Sequence, residues 1–203
     1  NPVTCTFHVG DANNYAPITV PKTGANTGTL TGSGTAGDHA DTTAGNSGID
    51  KNKSVNRYWT LTGGTLASGT PYSATFQFCS AIGTGCGVND VDAGAAFANF
   101  IVAKKTGGAW TAPTVGTKTS TSTQATGLST FGEFAVGETG PNHYAISYPL
   151  GQPGITCEAQ AIRITAHADA TNHTLLIAPS NTTQITVTTP PAANSWALKS
   201  GGG

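Results

Sequence analysis

The sequence predicts an all-β protein built as a β-sandwich, and three observations carry that prediction. Almost every patterned segment alternates apolar with polar residues, the period-two signature of a strand with one packed face and one wet face. Threonine outnumbers every other residue type and Gly reaches 27 of 203 residues, a composition of strands broken by tight turns. Hydrophobic residues make up 37% of the chain in short regular runs, which sets it apart from a disordered polymer.

The elements follow in chain order. The N-terminal NPVTCTFHV reads as an extended segment. Residues 23–54 hold little apolar material, and the reading places long exposed loops there around at most one strand near Thr29–Thr31. RYWTL sets Trp59 and Leu61 on one face against Tyr58 and Thr60. YSATFQF sets Tyr72, Ala74, Phe76 and Phe78 against Ser73, Thr75 and Gln77. AGAAFANF has the one helix-like composition and reads equally as a loop entering ANFIVAKK, a more apolar strand fit for a central place. TKTSTSTQATG, residues 117–127, fits a polar edge strand. In FGEFAV, Phe134 and Val136 share a face and close the first unit.

Residues 137–142, GETGPN, are too short for a tether and rich in chain-reversing residues. HYAISY then opens a new alternating series that continues through AIRITAH and QITVT. The reading therefore divides the chain into a sandwich over residues 1–138 and a smaller β unit over 139–203. About 64 residues give a marginal core alone, so this second unit is expected to pack on the first, to continue beyond Gly203, or to be completed by a neighbour.

A net charge of −1 with scattered Lys and Arg leaves no electrostatic footprint for nucleic acid. No apolar run approaches a membrane span, so no membrane insertion is expected of this segment. No signal peptide opens the sequence; an export signal is expected to have been removed or to lie upstream of a fragment. Four cysteines fit an oxidising compartment. Cys79 and Cys86 bracket SAIGTG, whose glycines let the chain turn back, and the favoured pairing is Cys79–Cys86 with Cys5–Cys157. Zinc is the rival use of these thiols, but no CxxC or nearby His pair supports it.

Candidate chemistry is sparse. Asp90 and Asp92 in NDVDAG place alternating oxygen ligands before a glycine, a weak calcium pattern that a capped turn explains as well; Asp38, Asp41 and Asp50 are weaker still. His167, Asp169 and His173 are a metal candidate outside any recognised ligand spacing. Ten carboxylates show no facing pair for glycoside hydrolysis, and no nucleophile elbow or His-Glu-x-x-His occurs, so no enzyme is expected. Among the aromatics, Trp110 in GGAWTAP lies beside glycines and a proline and is the one expected to face solvent as a ligand platform. Asn-x-Ser/Thr sequons stand at Asn52, Asn172 and Asn181. Lys104 or Lys105 is a conceivable partner for an amide cross-link to Asn or Asp.

GDANNYAPITV (10–20), SVNRYWTL (54–61), DVDAGAAFANFIVAKK (90–105), GAWTAPTVGT (108–117) and FGEFAVGE (131–138) resemble an immunoglobulin-like module repeated in large exported bacterial proteins. NHYAISYPLGQPGITCEAQAIRITAHADA (142–170) with TTPPAANSWALKSGGG (188–203) resembles the region of MshQ-type surface proteins associated with MSHA-like pili. Those proteins carry a further cysteine shortly after the position of Ala166; here the chain reads HADATNH, which leaves Cys157 for Cys5. The resemblance implies an immunoglobulin-like sandwich in a cell-surface, adhesive or scaffolding role, with other modules or subunits of a surface assembly as partners. Two rival functions stay open. One is a glycan-binding module; the other is a filament subunit whose terminal strand completes a neighbour's sheet.

Overall fold

The computed structural model describes residues 3–22, 28–43, 45–63, 71–140, 143–147 and 163–167. Twelve strands carry the described fold. In chain order they are β1 (Val3–Phe7), β2 (Ile18–Lys22), β3 (Leu30–Ala36), β4 (Ile49–Gly63), β5 (Tyr72–Gln77) and β6 (Ile101–Thr106). There follow β7 (Ala109–Thr111), β8 (Thr114–Thr119), β9 (Ser122–Leu128), β10 (Gly132–Thr139), β11 (His143–Ser147) and β12 (Arg163–His167). One helical turn, α1 (Ala40–Thr43), and one 3-10 turn (Phe97–Asn99) interrupt them.

Two five-stranded sheets form, with orders β1-β2-β5-β9-β8 and β3-β4-β10-β6-β7. Every paired strand in them runs antiparallel. Their inner faces meet in one core. Ile18, Val20, Tyr72, Ala74, Phe76, Ala125 and Leu128 come from the first sheet, and Val55, Trp59, Leu61, Val102, Phe134 and Val136 from the second. Phe76 sits at the centre, 5.3 Å from the Trp59 ring and 4.7 Å from the Phe134 ring. The indole N–H of Trp59 crosses the core to donate to the Ala16 carbonyl at 3.0 Å, so this buried ring leaves no polar atom unpaired. The molecule is the all-β sandwich that period-two alternation predicts, and YSATFQF and RYWTL turn inward the residues the pattern assigns.

The region 23–54 departs from expectation. Where long loops around one short strand were predicted, the chain forms β3, α1 and the start of a 15-residue β4. Strand β3, LTGSGTA, carries almost no apolar signal because the other side of the sandwich fills its inner face. A Cβ on Gly32 would lie 2.6 Å from the Phe7 ring, and one on Gly34 would touch Val9 and Trp59. TKTSTSTQATG also divides: β8 is the polar edge strand, whereas β9 lies inside the sheet with Thr123 and Ala125 buried.

Strand β10 stays paired to β4 through Thr139, opposite Ile49, and the Gly140 N–H donates to Gly48 O at 2.9 Å. Gly137 and Gly140 are therefore packing glycines: a Cβ on either would come within 3.0 Å of the β4 backbone. Strands β11 and β12 form a separate antiparallel pair with His143 opposite His167. Cys157, Asp169, His173, Asn172, Asn181 and the QITVT segment lie outside the described residues.

Candidate functional site

Two loops meet at one end of the sandwich. One joins β1 to β2 (residues 8–17), and the other leads from β5 toward the 3-10 turn (residues 78–96). Beneath them lies Arg57 of β4, a strand residue whose side chain is wholly buried. Its Nε donates to Asp90 at 3.2 Å and its terminal nitrogen donates to Asp11 at 2.5 Å and to Asp90 at 3.3 Å. Asp90 is buried as well and accepts from the Asn14 amide at 2.7 Å and from the Cys79 N–H at 3.1 Å. Asn14 returns a bond from the Val88 N–H at 3.0 Å. Asp11 caps its own turn, accepting from the Asn13 and Asn14 N–H groups at 2.7 and 3.0 Å.

Opposite charges define the protonation states. The Arg57 hydrogen bond, followed by backbone N–H bonds, holds the Asp11 carboxyl below its ordinary range. Burial works against the charge on Arg57, but its bonds to Asp90 and Asp11 outweigh that and hold the guanidinium pKa above its usual value. One nitrogen of Arg57, the second terminal one, is buried with no protein partner.

A disulfide closes the second loop. Cys79 and Cys86 are bonded, with Cα atoms 5.5 Å apart, as their bracketing of SAIGTG predicts. The closed loop is hydrogen-bonded to the first: Tyr15 N–H donates to Gly85 O at 2.7 Å, and Gly87 N–H to Asn13 O at 2.8 Å. Cys5 is exposed on β1 with no disulfide partner among the described residues, and Cys157, the partner expected for it, lies outside them.

These restraints hold apolar side chains out in solvent. Ile82 at the loop apex is 78% exposed, Tyr15 48% and Val88 45%. Beside them an open cleft of about 300 Å³ is lined by His8, Asp11, Asn13, Asn14, Tyr15 and Gly85 among others. Sequence reasoning passed over Tyr15 and Ile82. The available signal was an aromatic between Asn-Asn and Ala-Pro, and an isoleucine flanked by small residues within a cysteine-bracketed turn.

The calcium candidates occupy other roles. Asp92 accepts from Ser54 N–H at 2.8 Å, Ser54 hydroxyl at 3.2 Å and Asn56 amide at 2.7 Å. Asp90 and Asp92 thus face N–H and O–H donors, the inverse of the oxygen cage that calcium needs. Among the described residues no three His, Cys, Asp or Glu side chains are grouped to hold a metal. Asp38 accepts from the Ser54 hydroxyl at 2.8 Å; burial, with the nearby Asp92 charge adding to it, raises its pKa.

Trp110 faces inward more than the sequence indicates. It is half-buried on the outer face of the second sheet, against Ile49, Ala103 and Ala135. Its indole N–H donates to Asp41 at 2.8 Å, the His39 ring meets it edge-on at 5.1 Å, and Lys105 Nζ stands 5.9 Å from its centre. His39 accepts the Asp41 N–H at Nδ1 (3.0 Å) and points Nε2 at Glu133, 3.5 Å away. This cluster fastens the α1 segment to the sheet and leaves Trp110 a strut in place of a platform.

Lys105 does not prepare an amide cross-link with Asp41. Lys105 lies 2.7 Å from Asp41, whose hydrogen bond raises the lysine pKa as the lysine lowers that of Asp41. The pair is therefore ionised, whereas condensation to an amide requires a neutral amine and a neutral acid. Lys104 Nζ is hydrogen-bonded to the Thr130 hydroxyl, and burial lowers its pKa.

Comparison with known proteins returned no match among family models, curated proteins or solved structures. The fold and its fastened loop end define a disulfide-containing β-sandwich. Among the described residues no helix is long and apolar enough to cross a membrane.

Proposed function

We propose that this protein is a non-catalytic extracellular module of a bacterial cell-surface or pilus-associated assembly, and that its loop end is the surface it presents for adhesion. The supporting observation is the contrast between what lies under that end and what lies on it. A buried Arg57–Asp90–Asp11 network and the Cys79–Cys86 bond hold two loops in one geometry. The side chains those loops expose, Tyr15, Ile82 and Val88, contribute nothing to the core. Rigid loops carrying apolar anchors spend little conformational entropy when they bind, which is the economy of a recognition surface. The disulfide accords with an oxidising compartment.

The test is adhesion under flow. Beads coated with the whole chain are passed over immobilised bacterial and host-cell surfaces, with an Ile82→Glu/Val88→Glu variant beside them. The reading expects retention of the native chain and its loss in the variant at an unchanged melting temperature. Equal retention of both would remove the loop end from the function. A reproducible turnover in a broad hydrolase screen would overturn the non-catalytic assignment.

A further inference from the structure

His8 and Tyr15 form a composite ring surface at the mouth of the loop-end cleft. Their planes differ by only 17° and their centroids are 6.0 Å apart, while His8 Nδ1 and the Tyr15 hydroxyl are hydrogen-bonded at 2.5 Å. That centroid separation nearly exhausts the combined reach of the two rings and the bond between them. The line joining the centroids therefore runs close to both ring planes, and the rings lie side by side rather than face to face. The result is one elongated, nearly flat strip. It is fastened at the tyrosine end, where the Tyr15 N–H is bonded to Gly85 of the disulfide loop.

Asp11 is the one carboxylate lining the cleft, and its oxygens are taken by the Asn13 and Asn14 N–H groups and by Arg57. Asn13 is exposed, and its side-chain amide makes no hydrogen bond to another described residue, so a donor and an acceptor stand beside the ring surface. The cleft's 300 Å³ lies at the lower end of the range for small-molecule sites, about 300–1,000 Å³. A flat aromatic strip and a free amide match a sugar ring, which has an apolar C–H face and hydroxyls along its edge, while two carboxylates sharing the single Arg57 cation leave a negative excess that disfavours an anionic glycan.

We propose that this cleft binds a neutral saccharide, with one ring lying on the His8–Tyr15 strip and its hydroxyls meeting Asn13. The assignment rests on the loop end being the recognition surface and adds the class of ligand. Tyr15 supplies the face, His8 fixes that face in plane, and Asn13 sets orientation.

The experiment applies the labelled whole chain to an array of neutral and anionic glycans, with Tyr15→Phe and Tyr15→Ala variants checked for unchanged melting. The native chain is expected to bind a neutral class. Tyr15→Phe, which keeps the ring but loses the bond to His8, binds more weakly than the native chain and more tightly than Tyr15→Ala. Tyr15→Ala weakens it at least about tenfold, the loss typical of truncating an aromatic anchor. Absence of glycan binding, a preference for anionic glycans, or equal binding by Tyr15→Ala would overturn the proposal. If no glycan binds while Ile82→Glu/Val88→Glu still abolishes adhesion under flow, the saccharide assignment falls and the loop-end reading stands.

Discussion

Replacing Asp90 with alanine removes one carboxylate and strands a buried cation. Four hydrogen bonds end on the Asp90 carboxylate: two from Arg57, one from the Asn14 amide and one from the Cys79 N–H. Treated separately, bonds to a charged group at about 1.5–3 kcal/mol each would sum to about 6–12 kcal/mol, as much as a whole domain's stability. That sum overcounts, because Asp11 keeps its contact with Arg57 and can follow it toward solvent. The better guide is the loss on breaking a buried ion pair from one side, about 3–5 kcal/mol. Arg57 is 1% exposed and already has one unpartnered nitrogen, so little water is at hand to compensate. Urea unfolding followed by the fluorescence of buried Trp59 measures the effect. The double variant Arg57→Met/Asp90→Leu separates charge from packing: with both charges gone it should recover much of the loss. A cost below about 1 kcal/mol for Asp90→Ala, or a double variant as unstable as the single one, would refute a charge-based fastening.

Three further outcomes follow from the same geometry. Removing the disulfide as Cys79→Ala/Cys86→Ala should cost about 2–3 kcal/mol for so short a closed loop, read from melting with and without a dithiol reductant. Gly137→Ala should destabilise by about 1–3 kcal/mol, since its Cβ would meet Ile49 at 2.6 Å and the Ser54 Cα at 2.8 Å; chemical denaturation tests it. Asp38 has a raised folded-state pKa, so the folded protein holds that proton more tightly than the unfolded chain. Its contribution is fully present below the ordinary aspartate value and is lost as pH rises through the raised one. Asp38→Asn should therefore be more stable than the native chain at neutral pH, with the gap closing on acidification; a gap of constant size across a pH series of melts would contradict this.

Sandwich strands were legible wherever both faces leave a mark in one segment, as in YSATFQF. They were illegible where one face is supplied from far away. Gly32 and Gly34 look like loop residues until Phe7 and Val9 are seen occupying the space a side chain would need. The same distance hid the site. An aspartate before a glycine reads alike as a cation ligand or as an anchor, and Arg57, which decides for Asp90, stands 33 positions away. Trp110 was misjudged by its small neighbours; the partners that draw it inward, Asp41 and Ile49, belong to α1 and β4. The disulfide was readable because Cys79 and Cys86 are near in sequence and the glycines between them permit the return.

Arg57 reaches Asp11 and Asp90 from a strand in the opposite sheet to β1 and β2, so the charged fastening of the two loops is complete only once the two layers have closed on each other. The outermost surface is thereby made contingent on the innermost event of maturation. A half-assembled copy would offer the outside world no competent tip, and stickiness would be reserved for molecules that have finished.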